Sequence, residues 1–149
     1  MKWNEPPPME PGTPLPAIEE NGESLRCSYI CANPDFPGWD SGAPSNHPGF
    51  AEYCAVVEFD NVIRYKFGAP NDEGLHKHPL YKMGVSFYEF YSLSESPELK
   101  LVAGSKLWVA TFHDETLQVI AESARVLAHR VNVNLPVKAL EYIRKNSGS

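Results

Sequence analysis

The chain has 149 residues, 42% hydrophobic and 21% charged, with 13 basic against 19 acidic side chains and a formal net charge of −6. That length supports a single domain that buries roughly 70% of its unfolded surface. Acidity without clustered Lys and Arg excludes a general nucleic-acid binder, and no apolar run approaches the ~20 residues of a membrane helix, so neither nucleic acid nor membrane is an expected partner.

The opening MKWNEPPPMEPG has no apolar stretch of the kind a secretory signal needs, which predicts a cytoplasmic protein. Ten of the 14 prolines fall within residues 1–50. Residues 1–20 therefore read as a flexible proline-rich arm, because proline breaks helices and the segment has few large apolar side chains to repay its ordering. A role for this arm as a proline-rich ligand is the alternative to a plain tail. Residues 21–146 read as one α+β domain.

Asn21-Gly22 signals a turn, and Ser24 to Cys31 a short strand. Residues 32–50 are dense in Pro, Gly, Asn and Asp, with Phe36, Trp39 and Phe50 embedded, and read as an ordered loop pinned across the core. Tyr53–Phe59 and Val62–Phe67 read as a hairpin closed by Asp60-Asn61. In that register Cys54, Val56, Ile63, Tyr65 and Phe67 form an apolar face, while Arg64 and Lys66 share the other with Val57 and Phe59. Val85–Leu93 is aromatic on both faces and predicts a central strand. Leu99–Val102 is a weak strand or helical turn, and Leu107–Phe112 a strand. Residues 115–131 fit two patterns. The polar residues Glu115, Gln118, Glu122, Arg125 and His129 fall at a helical period. A meander with a turn at Glu122-Ser123 fits as well. A C-terminal helix is predicted from Pro136, with Val137, Leu140 and Ile143 on one face and Arg144 and Lys145 at its end. No internal repeat is visible.

Cys27, Cys31 and Cys54 are an odd set that cannot close a full disulfide framework. They read as core residues in a reducing compartment, with a thiol nucleophile as the alternative. Asn71, Asp72 and Glu73 precede His76 and His78, which on an extended segment point the same way. Imidazoles and carboxylates suit a transition metal, and His113-Asp114 offers a third ligand or an acid/base pair. The bland reading is that these residues cap turns. His-x-His has a superficial likeness to cupins, but Pro79, Leu80, Tyr81 and Lys82 stand where the cupin glutamate belongs. Phosphate-loop, dinucleotide, nucleophile-elbow and zinc-protease motifs are all missing, so no cofactor is expected. Trp3, Trp39, Tyr81, Tyr88, Tyr91 and Trp108 exceed the evident needs of one small core; they either line a groove or cover the sheet.

The strings ICANPDFPGWDSGA, FGAPNDEGLHKHPLY and TFHDETLQVIA resemble segments of a family of small, uncharacterised bacterial proteins that carry similar Phe-Gly-x-Pro-Asn-Asp-Glu, His-Pro-Leu-Tyr and Phe-His-Asp-x-Thr segments. The resemblance spans roughly residues 25–130. It implies no activity, only positions: Asn71, Asp72, Glu73, His78, Pro79, Tyr81, Phe112, His113, Asp114 and Thr116. It also implies strand in place of helix after His113-Asp114, which favours the meander, and it leaves His76 outside the shared pattern.

The expectation is thus an α+β domain, mainly an antiparallel sheet with a C-terminal helix, acting as a non-catalytic module that binds a protein or a small ligand. The alternative is a metal-assisted or acid/base enzyme using Asp72, Glu73, His78, His113 and Asp114. Homodimerisation through an open sheet edge, at the strand from Leu25 or Leu99, is a third possibility.

Overall fold

The computed structural model describes residues 2–7, 9, 16–31, 53–68, 71, 74–86, 88–94, 104–112 and 115–146. They form six strands: β1 (Ala17–Asn21), β2 (Ser24–Ile30), β3 (Cys54–Gly68), β4 (Phe90–Leu93), β5 (Lys106–Thr111) and β6 (Thr116–Val131). A 3-10 turn (Leu75–Lys77) and the short helix α1 (Pro79–Lys82) follow β3, and helix α2 (Pro136–Asn146) follows β6. The strands make one antiparallel sheet in the order β1-β2-β3-β6-β5-β4, so the chain is α+β with a C-terminal helix. Among the described residues no helix is long and apolar enough to cross a membrane.

The strand order is a palindrome in architecture. Two three-stranded meanders, each ending in a helix, join along β3 and β6. Each helix covers the other meander. Leu80 of α1, with Leu75 and Val85 beside it, packs on Tyr91, Leu93, Leu107, Val109 and Ile120. Ala139 and Leu140 of α2 pack on Ile30, Cys54 and Val56. The residues alternating with these, including Cys27, Tyr29, Ala55, Val57, Phe59, Trp108, Leu117 and Val119, form the larger core on the opposite face. The sheet thus has a helix-bearing face and an aromatic face.

β3 and β6 are each single long strands, which corrects two expectations. Asp60-Asn61 does not close a hairpin and Glu122-Ser123 does not divide a meander; Asp60 pairs with Ser123 at the midpoint of one continuous ladder. Asn61 takes a left-handed conformation (φ 54°) beside a register shift between Val62 and Arg64, and its amide Nδ2 donates to Glu122 Oε2 at 2.9 Å. Asn tolerates this geometry, and the bulge lets the ladder bend and continue. Both strands begin with six buried residues and then become largely exposed. The expected apolar face of the hairpin therefore does not exist: Cys54 and Val56 are buried, but Ile63 is 56% and Tyr65 38% exposed.

Other expectations shift as well. The sheet starts at Ala17, inside the segment assigned to the arm. Val85–Leu93 is not a central strand: among its described residues only Phe90–Leu93 is strand, at one end of the sheet, after a left-handed Tyr88. Leu25 lies in β2, between β1 and β3, so it offers no open edge. Leu99–Val102 and the aromatic loop of residues 32–50 lie outside the described residues.

Candidate functional site

Gly68 pairs with Thr116, and Thr116 with Thr111, so the register brings Gly68, Thr111 and Thr116, which flank the two polar strings in the sequence, to one end of the sheet. Asp72, Glu73, His113 and Asp114 lie outside the described residues. Two of the described members, Asn71 and His78, serve the backbone. Asn71 Oδ1 accepts from the Gly74 N–H at 2.8 Å and closes a turn. His78 is the N-cap of α1, its Nδ1 accepting from the Leu80 N–H at 3.2 Å. Burial, then the charge of Lys66, holds the His78 imidazolium below its usual pKa, which keeps that nitrogen available as an acceptor. Thr116 is buried in the sheet, and Tyr81 is exposed on α1. His76 sits in a 3-10 turn and His78 follows it, so the extended spacing that would aim both imidazoles one way is not met. Among the described residues no group of three or more His, Cys, Asp or Glu is placed to hold a metal ion.

Cys27, Cys31 and Cys54 are buried, and none forms a disulfide. Cys27 and Cys31 share the aromatic face, as their even spacing predicts. Burial pushes the Cys27 thiol pKa far up and that of Cys31 to about 12, which suits core packing and not nucleophilic attack.

The helix-bearing face carries a polar band that the motifs do not mark. Glu58 is 3% exposed and lies between two cross-strand arginines. Arg26 Nε donates to its Oε2 at 2.9 Å, and Arg125 Nη2 to its Oε1 at 2.6 Å. Burial raises the Glu58 carboxyl pKa, but the hydrogen bonds from Arg125 and Arg26 outweigh it and leave the pKa below the usual carboxylate value. A lone carboxylate inside the apolar run YCAVVEF was the available signal, since burial there demands a charged partner.

Further along β3, beyond the bulge, Arg64 faces Ile120 and Lys66 faces Gln118. With Tyr65 and Leu107 these residues line an open cleft of about 260 Å³: an apolar floor of Leu107 and Ile120 beneath a rim bearing two cations and one amide. The cleft borders an open edge. Among the described residues, 64–68 of β3 pair only with β6, because β2 starts at Ser24 and the last link across to that side is from the Val62 N–H to the carbonyl of the preceding Glu23, at 2.8 Å. No family model matches the chain, and no curated protein or solved structure matches it.

Proposed function

We propose that the protein is a non-catalytic interaction module of the bacterial cytoplasm that receives an extended acidic segment of a partner protein along the open half of β3. One observation carries this reading: a stretch of strand paired on one side only among the described residues, with Arg64 and Lys66 on the same face beside a cleft, in a chain of net charge −6. Strand addition would supply main-chain hydrogen bonds, and alternate carboxylates would meet the two cations. A second copy of the chain fits this edge poorly, because antiparallel pairing about Tyr65 sets Arg64 against Lys66 of the copy. Three buried cysteines without a disulfide support a reducing compartment.

The test is calorimetric titration at low salt with an alternating Glu-Val octapeptide. Binding that weakens as salt rises, and that falls at least about tenfold in the Arg64→Glu/Lys66→Glu chain, supports the reading. Equal binding by the two chains removes it. The enzyme reading keeps one observation in its favour, the pairing of Gly68 with Thr116, two residues that flank the polar strings in the sequence. A stoichiometric transition metal in the purified protein would put that reading first.

A further inference from the structure

The aromatic face carries a second feature, independent of the β3 edge. Described residues near the start of the chain form a strap across it. Lys2 bridges Tyr91, and the Trp3 N–H donates to the Phe90 carbonyl at 2.8 Å, so the strap caps the outer edge of β4. Lys2 Nζ lies 2.6 Å from Glu89, whose other oxygen accepts from the Tyr91 hydroxyl. The Trp3 ring enters an aromatic box, 5.1 Å from Trp108, 5.9 Å from Phe90 and 6.4 Å from Phe59, centroid to centroid. Pro6 is buried, the Tyr29 hydroxyl donates to the Pro7 carbonyl at 2.7 Å, and the buried Met9 bridges Cys31. The strap therefore runs from β4 to the end of β2, held by one aromatic anchor, two buried apolar side chains and a few polar contacts at its margins.

These are the terms on which proline-rich segments are recognised in trans. A chain stiffened by proline loses little entropy on docking, an aromatic trough receives it, and a tyrosine hydroxyl reads a carbonyl of the proline run. We infer that the trough formed by Tyr29, Phe59, Phe90 and Trp108 is a receptor for a proline-rich segment bearing an aromatic anchor. The strap fills it in cis, and a partner segment of the same chemistry enters by displacing the strap. A cleft of about 260 Å³, lined by Trp3, Pro6, Pro7 and Met9 of the strap and by Tyr88–Phe90, marks the place where displacement would start. Tyr88, which lines that cleft, holds a left-handed conformation (φ 58°) that residues with side chains rarely adopt.

The experiment uses the full chain and a synthetic peptide of residues 1–10, MKWNEPPPME. Trp3→Ala removes the anchor in cis. Its isotope-labelled chain should show the Trp108 indole signal shifting with peptide and saturating at a concentration at least about tenfold below that needed for the wild-type chain, whose trough is occupied. The same peptide carrying Trp3→Ala should leave the signal unmoved. If the Trp3→Ala chain does not fold alone, peptide added in trans should restore the folded spectrum. A folded Trp3→Ala chain that ignores the peptide, or an unfolded one that the peptide does not rescue, overturns the inference and makes the strap an ordinary part of the core. Arg64 and Lys66 lie outside the trough, so neither result touches the β3 proposal.

Discussion

The two halves of β3 share one strand, one partner strand and similar β-forming residues, yet Cys54–Phe59 is buried throughout while 63–66 is exposed. The difference is the number of neighbours. Among the described residues, the first half pairs with both β2 and β6, and the second pairs with β6 alone. β6 repeats the arrangement: its first six residues lie between β5 and β3, and among the described residues the remainder pairs with β3 alone. Burial in this fold is thus set by how far the adjacent strands reach. The half without a second paired strand among the described residues is where Arg64, Lys66 and the cleft appear.

Substitutions at matched places test that contrast. Glu58→Gln should have the largest effect, about 3–5 kcal/mol by chemical denaturation, because it strands the buried Arg26 without its counter-charge. The Glu58 pKa is lowered on folding, so its contribution is complete above the ordinary carboxylate pKa and fades as pH drops below it. The wild-type advantage over Glu58→Gln should shrink in acid. Leu117→Ala, in the buried half of β6, should cost about 2–5 kcal/mol. Ile63→Ala, in the exposed half of β3, should stay within about 0.5 kcal/mol. Equal costs at the two positions would erase the distinction between the halves. At the junction, Asn61→Val should cost about 1–2 kcal/mol through its left-handed backbone, while Asn61→Gly should be tolerated. A smaller effect than at Asn61 is expected at His78. Its Ala variant should lose about 0.5–1 kcal/mol at neutral pH as the α1 cap is removed. The His78 pKa is depressed on folding, so the stabilising cap is present above the ordinary imidazole value and is lost as pH falls through the lowered one. Wild type and variant should converge there.

The same contrast explains what could be read from the residues. The antiparallel sheet, β2, β5 and the C-terminal helix followed from alternation, turn residues and the Pro136 start. The long strands did not, because each changes from buried to exposed at its seventh residue and places turn-forming residues there: Asp60-Asn61 in β3, Glu122-Ser123 in β6. A dipeptide that bends a ladder looks locally the same as one that ends it. Asn71 and His78 were visible as polar residues beside turns, and capping is what they do. Arg64 and Lys66 were visible as alternating charges on one face, but nothing local revealed that β2 stops short beside them. Trp3 stood out only as a surplus aromatic, since its box is assembled from β3, β4 and β5.

Amide hydrogen exchange along β3, without and with the alternating Glu-Val peptide, tests the central claim most directly. Cys54–Phe59 should be protected in both states, and the amides of 64–68 that point away from β6 should exchange rapidly alone and slow when the peptide is present. No change at 64–68 would contradict the account, as would new protection appearing instead at 71–78 and 112–116.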